Sequence, residues 1–433
     1  DPLDPDKLYA AVIHRRNPEC DIVVFDSSDG GASWEIGATL RCPNERQFFD
    51  PALAAAPNGI AYLVHMDTSI KAARSDSKIV FFATADGGRT WGKENAFDQF
   101  VDRPWLAVDN RSEQHRGAVY CLGQIEPLTP AGEIDHSEPI FLRANDGFLS
   151  LSDPVYPHDG REMVNCGPGN PVVLSDGSVL VAYDDRYLKR KIREWPRPAI
   201  YTAISTDGGK SFATATPVNT KWWHDDLQSH PSSVVGKSLC QLAVDASSKK
   251  ADRVYCVWSD GDPGRDGEYI FFSYSDDRAE TWSNPVVLSE QRLAENETPE
   301  FAAFVPCISV NNTGLVAVSW YDRRDLPPVT STGPDANGIL HTTWDGWNTR
   351  LRVSLDGGLS WQPSVQVNQE QGVGNVHVGH TAGLTAAADG SFHVTWIDNL
   401  TSENELWTTS VQIQVPLQDG DKSATGSSPE STR

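Results

Sequence analysis

The chain has 433 residues, 39% of them hydrophobic and 22% charged, and a formal net charge of −23. That length can bury a large core, as two or three ordinary domains or as one repeat architecture. No run of about 18 apolar residues occurs, so no membrane insertion by a helix is expected, and the acidic balance argues against nucleic acid as a partner.

Strands are predicted from near residue 7 onward, because apolar, β-branched and aromatic residues alternate with no helical period. The first group runs into the octet SSDGGASW at 27–34. A second starts near residue 48 with DPALAAAPNG and IAYLVHMD and reaches TADGGRTW at 84–91. A third, from about residue 102, opens with RPWLAVD and carries a degenerate turn, ANDGFLSL, at 144–151. The fourth begins near 168 with NPVVLSDG and SVLVAYDD and reaches STDGGKSF at 205–212. The fifth begins near 239 with CQLAVD and RVYCVWSD and reaches SDDRAETW at 275–282. The sixth, from about 304, has VPCISVNNTG, LVAVSWYD and SLDGGLSW at 354–361. The seventh, from about 381, has AGLTAAADG and SFHVTWID but no clear fourth strand and no octet. A four-stranded antiparallel unit recurring about every 60 residues predicts an all-β fold, a single β-propeller. It spans residues 1–415, with seven blades preferred and six as the alternative, followed by a polar, flexible tail at 416–433.

In each octet the Asp can accept backbone N–H groups, glycine takes the left-handed position, and the aromatic packs between sheets. The repeated octet resembles the Asp-box, or BNR repeat, of the sialidase-like propellers, and in register it covers nearly the whole chain. The resemblance implies that these turns lie on the face opposite an active site, which makes them fold punctuation rather than chemistry.

The seven cysteines show no CxxC spacing, which makes a structural zinc site unexpected. Cys20 with Cys42, or Cys240 with Cys256, suits a disulfide as well as buried free thiols. Asn110, Asn296, Asn311 and Asn399 begin Asn-X-Ser/Thr sequons, which favours a secreted, extracellular glycoprotein. The start, DPLDPDKLYA, lacks an initiator Met and an apolar signal core and reads as a mature or trimmed product.

Function is expected where the repeats depart from their own pattern. Second strands end in Trp-x-Asp (Trp258/Asp260, Trp320/Asp322, Trp396/Asp398), a pair whose recurrence reads as packing and loop anchoring. The second blade puts His65 in the Trp slot, the first puts His14 in the Asp slot followed by Arg15, and the third has Gly123, which leaves a space. Before the proline of the first strand stand Asp50, Arg103 and Asn170, where later blades are apolar, and the last blade offers His377 and His380. Two loops add a basic run, RYLKRKIREWPRP, containing Arg186, and an aromatic pair, Trp222 and Trp223. Adjacent aromatics suit sugar faces, and a local cationic loop suits an anion.

An Arg-rich, His-bearing cleft of this kind points to an acidic oligosaccharide or polysaccharide. Resemblance to sialidases implies a terminal acidic sugar, three arginines around its carboxylate, a Tyr–Glu nucleophile pair, an Asp acid/base and an Arg-Ile-Pro motif. The nearest form of that motif here is DRPW at 102–105. Eliminative, polysaccharide-lyase-type cleavage at a uronate is the preferred expectation, since it needs a base, an acid and a cationic clamp rather than a carboxylate pair. His65 is then the base or acid, Tyr183 its partner and Arg103 the main clamp, with Arg15, Arg186 and Arg323 as secondary cations. A sialidase-like hydrolase and a non-catalytic glycan-binding propeller are the alternatives. A monomer with no required cofactor is expected, and a structural Ca²⁺ on loop aspartates stays open.

Overall fold

The computed structural model describes residues 1–16, 18–72, 75–127, 129–130, 135–145, 147–158, 166–185, 200–219, 240–262, 265–289, 303–325, 330–334, 340–343, 346–370, 382–398 and 405–414. The architecture is an all-β propeller. Among the described residues there is no helix, and so none long and apolar enough to cross a membrane.

The first sheet holds β1 (Leu8–Arg15), β2 (Cys20–Ser27), β3 (Glu35–Leu40), β4 (Arg46–Ala56), β5 (Ile60–Ser69), β6 (Ser77–Thr84) and β7 (Gly92–Phe97). As strands, its antiparallel groups β1–β3 and β4–β7 are joined by one parallel pair, Cys20 with Gln47. Next come β8 (Val101–Val108), β9 (Val119–Ile125) and β10 (Glu138–Ala144), with Val155 bridging to Phe141 at the outer edge. The third sheet comprises β11 (Cys166–Pro168), β12 (Val172–Val173), β13 (Val179–Asp185), β14 (Ile200–Ser205) and β15 (Thr216–Asn219). The fourth comprises β16 (Gln241–Val244), β17 (Val254–Asp262), β18 (Arg265–Ser275) and β19 (Val286–Val287). The fifth runs from β20 (Ala303–Val310) and β21 (Val316–Asp322), past a separate hairpin of β22 (Thr330–Pro334) and β23 (Leu340–Thr343), to β24 (Asn348–Ser354) and β25 (Val365–Gln366). The last has β26 (Gly383–Ala386), β27 (Phe392–Asp398) and β28 (Glu405–Val411).

The core is a series of layers between consecutive strand groups. Six apolar clusters each join one group to the next, from Ile22, Val24, Phe48 and Leu63 at the start to Phe304, Tyr321, Val394 and Trp396 at the end. Polar ties cross the same seams. Asn110 Nδ2 donates to the Ala55 carbonyl (2.9 Å) and Asn311 Nδ2 to that of Gly390 (2.8 Å). Two of the four predicted glycan acceptors thus have their amides engaged; Asn296 and Asn399 lie outside the described residues. The first and last groups also touch, since a Cβ on Gly31 would sit 3.3 Å from His393 Nδ1. All seven cysteines are buried free thiols, so neither candidate disulfide forms.

The octets share one hydrogen-bond scheme. In the fourth, the Ser205 hydroxyl donates to Asp207 Oδ1 (2.8 Å) and accepts from the Gly209 amide (2.8 Å). Asp207 Oδ1 also accepts from the Lys210 and Ser211 amides (2.9 and 3.0 Å), and Oδ2 from the Ser211 hydroxyl (2.6 Å). Asp29, Asp86, Asp277 and Asp356 likewise take both the amide and the hydroxyl of the residue four positions on. That second hydroxyl is part of the motif. The two residues after the Asp are left-handed: Gly208 and Gly209 (φ 73° and 83°), but Arg278 and Ala279 in the fifth octet (63° and 68°). The degenerate turn keeps this shape with Gly147 and Phe148 (70° and 73°), and Phe148 drops into the core, stacked 4.2 Å from Phe81.

Candidate functional site

Where the first strand of a blade enters its sheet, three blades share a backbone feature. Asp50-Pro51, Arg103-Pro104 and Val305-Pro306 interrupt the pairing as bulges, each pair facing one residue of the next strand: His65, Gly123 and Trp320 respectively. Asp50, Arg103 and Val305 have φ of 50°, 50° and 51°. That region is disfavoured for side chains with a Cβ, and most for a β-branched one. Proline restricts the residue before it, and an extra residue in one strand re-aims its side chain. The site is therefore built from a bulge that recurs with the fold, carrying polar residues in the second and third blades.

Those two bulges are joined. Asp50 Oδ2 accepts the Arg103 backbone N–H (3.3 Å), and Arg103 Nε lies 4.0 Å from Asp102 Oδ2. The Asp50 carboxyl is pushed up to about 7, first by burial and then by the neighbouring Asp102 charge, with Arg103 pulling the other way. A carboxyl holding its proton beside a guanidinium can donate to a leaving oxygen while the cation meets an anion.

Next to Phe49, the residue before Asp50, lies a depression of about 550 Å³ lined by Arg15, Pro18, Cys20, Gln47 and Phe49. Arg15 is exposed there, as is His14 at the end of β1. Arg16 is committed instead to Asp21, a fully buried carboxylate that also takes Arg41 and the Cys42 amide. Burial would raise Asp21, but these donors outweigh it and hold it at about 2.

Four predicted residues are held in packing or backbone hydrogen bonds. His65 is fully buried between Phe48 and Phe82, with ring centroids 4.3 and 5.6 Å away, and its Nδ1–H donates to the Met66 carbonyl (3.1 Å). It fills the slot facing a bulge that Trp320 fills on β21. Tyr183 is also buried, stacked on Tyr201 within the core. Asn170 is not left-handed like Asp50 and Arg103; its amide grips both the carbonyl and the N–H of Leu242 in the next blade (2.9 and 2.7 Å). Arg323 is buried and donates to the Gly346 carbonyl. The space expected at Gly123 is closed, because a Cβ there would lie 2.3 Å from Val101 Cγ1. Arg186, Trp222, Trp223, His377 and His380 lie outside the described residues.

Of the sequence candidates, the structure brings together Asp50 and Arg103, and it places Arg15 in the depression beside Phe49. Sequence reasoning missed Asp102, Gln47 and Phe49. Asp102 stands one place before the pre-proline position and no other blade repeats it, so the comparison of repeats had no signal for it. Among the described residues no cluster of His, Cys, Asp and Glu has metal-holding geometry.

No family model matches the chain, and no curated protein matches it. Among solved structures, a protein of unknown function from Dyadobacter fermentans is 14% identical with a TM-score of 0.53, over 86% of this chain and 96% of that one. The α-L-arabinofuranosidase of Fusarium graminearum, solved with arabinobiose, is 11% identical with a TM-score of 0.48, over 86% and 95%. The Hadza microbial sialidase Hz136 is 13% identical with a TM-score of 0.47; the match covers 84% of this chain but 66% of that one. At such identities the likeness is one of fold alone.

Proposed function

We propose that this chain is a secreted, monomeric carbohydrate-active enzyme that hydrolyses a glycosidic bond of an acidic sugar, with Asp50 as the proton donor. The observation that carries the reading is the contact of Asp50 with the Arg103 backbone beside Asp102, at the entry of two adjacent strand groups, where burial pushes the Asp50 carboxyl up to about 7. The leaving oxygen takes the proton from Asp50, the anomeric carbon takes hydroxide from a water, and the remaining proton of that water returns to Asp50. Arg103 beside Asp50, and Arg15 at the depression next to Phe49, supply cations for the sugar carboxylate. Elimination loses its support, because the base and acid expected for it, His65 and Tyr183, are packed in the core.

The reading counts seven blades, with the seven-stranded sheet as two. Its single parallel pair between β1–β3 and β4–β7 supports that division. The octets are proposed to face away from the site. In support, the Gly87 amide bonds the Gly59 carbonyl at the far end of β4 from Asp50.

The test is a panel of sialosides, glycuronides, neutral glycosides and uronate polysaccharides, followed by released reducing sugar and by the ultraviolet absorbance of unsaturated uronates. Hydrolysis abolished by Asp50→Asn is expected. Unsaturated product, or turnover that survives Asp50→Asn, overturns the reading.

A further inference from the structure

We propose that the ring has a built-in opening point, the seam between its last and first strand groups, and that His393 latches this seam shut until its imidazole takes a proton. The inference is independent of the catalytic reading and starts from what the seam lacks. The six apolar clusters each join one strand group to the next along the chain, and among the described residues none joins β26–β28 to β1–β3. No described strand of the last group pairs with one of the first, and the strands of these two groups pack more thinly than at any other seam.

A histidine stands where the other seams carry an apolar cluster. His393, on β27, is buried against the first octet: a Cβ added to Gly31 would meet its Nδ1 at 3.3 Å, its Cε1 at 3.4 Å and Leu8 Cδ1 at 3.2 Å. The hydrogen bonds assign its proton. The Ser391 hydroxyl donates to Asp389 Oδ1 (2.6 Å) and so accepts from His393 Nε2–H (3.1 Å). Nδ1 is left as the basic nitrogen, on the ring edge that faces Gly31, with no hydrogen bond among the described residues. The turn before β27 is fixed on its other side, where Asn311 Nδ2 donates to the Gly390 carbonyl (2.8 Å) and Asn312 Nδ2 to that of Ala388 (2.7 Å). A proton at Nδ1 puts a charge and an unpartnered N–H into this buried contact. Parting of the two groups gives both to water, while the last group stays tied to the group before it.

The surroundings do not cancel that charge. β26 carries no ionisable side chain, and on β28 Glu405 pairs with Asp398 at the far end of β27. In the first octet Asp29 is held by Ser27 and Ser33, and Lys7 by the Ser28 hydroxyl; Asp6 lies beside Gly30. On β1, Tyr9 donates to the Gly59 carbonyl, and His14 and Arg15 stand at the opposite end. On β2, Asp26 lies against Gly88, and Asp21 is held by Arg16 and Arg41. Burial accordingly holds the His393 imidazole below its ordinary 6.5, with Asp389 pulling it up less strongly. A depressed histidine leaves the closed form fully stable above 6.5, and that stability is lost as the pH falls from there toward the folded value.

The experiment is hydrogen exchange of the full chain, read by mass spectrometry at about pH 7.5 and pH 5 and corrected for intrinsic exchange rates. Peptides over 27–34 and 387–395 report the seam, and the octet at 205–212 is the internal control. Acidification should lower protection in the seam by about tenfold, the effect of one unit of displaced titration, and leave the control within about threefold. His393→Gln keeps an N–H for Ser391 and cannot titrate, so it should abolish the difference. A proton NMR titration of the histidine rings should place the His393 midpoint below 6.5, and seam exchange in the wild type should follow that midpoint. This comparison needs no variant, so it stands if His393→Gln does not fold. Equal seam protection at the two pH values, a loss shared by the control octet, or a loss that persists in His393→Gln overturns the latch.

Discussion

Asp207→Ala isolates what an octet contributes. The carboxylate accepts four hydrogen bonds, from the Ser205 hydroxyl, the Lys210 and Ser211 amides and the Ser211 hydroxyl. Burial alone would raise its pKa, but the Ser211 and Ser205 donors and the Lys210 amide outweigh it and hold Asp207 at about 2, from a model-compound 3.8. At 1.36 kcal/mol per unit that difference has a ceiling of roughly 2 kcal/mol. Solvent screening of a half-exposed turn brings the expected deficit of the variant to about 1–2 kcal/mol. The folded-state pKa is depressed, so this stabilisation is present above the unfolded value and is lost as the pH falls through the folded one. By about pH 2.5 it should shrink to roughly a third of its value near pH 7. Urea denaturation midpoints of wild type and variant at both pH values measure it. A deficit of equal size under the two conditions would refute the electrostatic account and leave only loss of turn shape.

Other expectations follow the same logic. Asp50→Asn should stabilise the chain by about 2–4 kcal/mol near pH 8 and little near pH 4. The folded pKa of Asp50 lies above 3.8, so its favourable contribution below that value is lost as the pH rises through about 7; melting temperatures at the two pH values check this. His65→Ala should cost about 2–4 kcal/mol by opening a cavity between Phe48 and Phe82, and a melting temperature equal to wild type would contradict the packing role. A thiol reagent should label none of the seven cysteines in the native chain within the time that labels all of them in denaturant; a fast-reacting native thiol would contradict their burial.

The architecture was legible because the octets and the strand patterning repeat. Each octet fixes where one hairpin turns, and the alternation on either side fixes which strands follow. The site was less legible, for a physical reason. His65 occupies the position facing a bulge, as Trp320 does, and that position belongs to the interblade wall. Gly123 departs there for the same reason, with the opposing bulge backbone and Val101 closing in on it. A departure in a packing slot records the local volume rather than chemistry. The pre-proline position, in contrast, delivered Asp50 and Arg103, because its side chain is turned by the backbone itself. Asn170 shows the limit of alignment: it holds the same position in sequence without the left-handed conformation, and it became a clamp on Leu242.

Val305 gives the recurring bulge a consequence for design. It holds the same left-handed conformation as Asp50 and Arg103, although a buried β-branched residue is the costliest type to keep there. The backbone therefore adopts this shape whether or not a functional group stands on it. Such a position is a recurring socket, and β20 carries one plugged with a methyl-bearing stub. Asn at 305 would relieve the conformational strain, since its short polar side chain tolerates the left-handed region. Val305 is buried in an apolar cluster with Phe304, Tyr321 and Trp347, so the amide would have to find a hydrogen-bond partner there, and the backbone relief is set against a buried polar group.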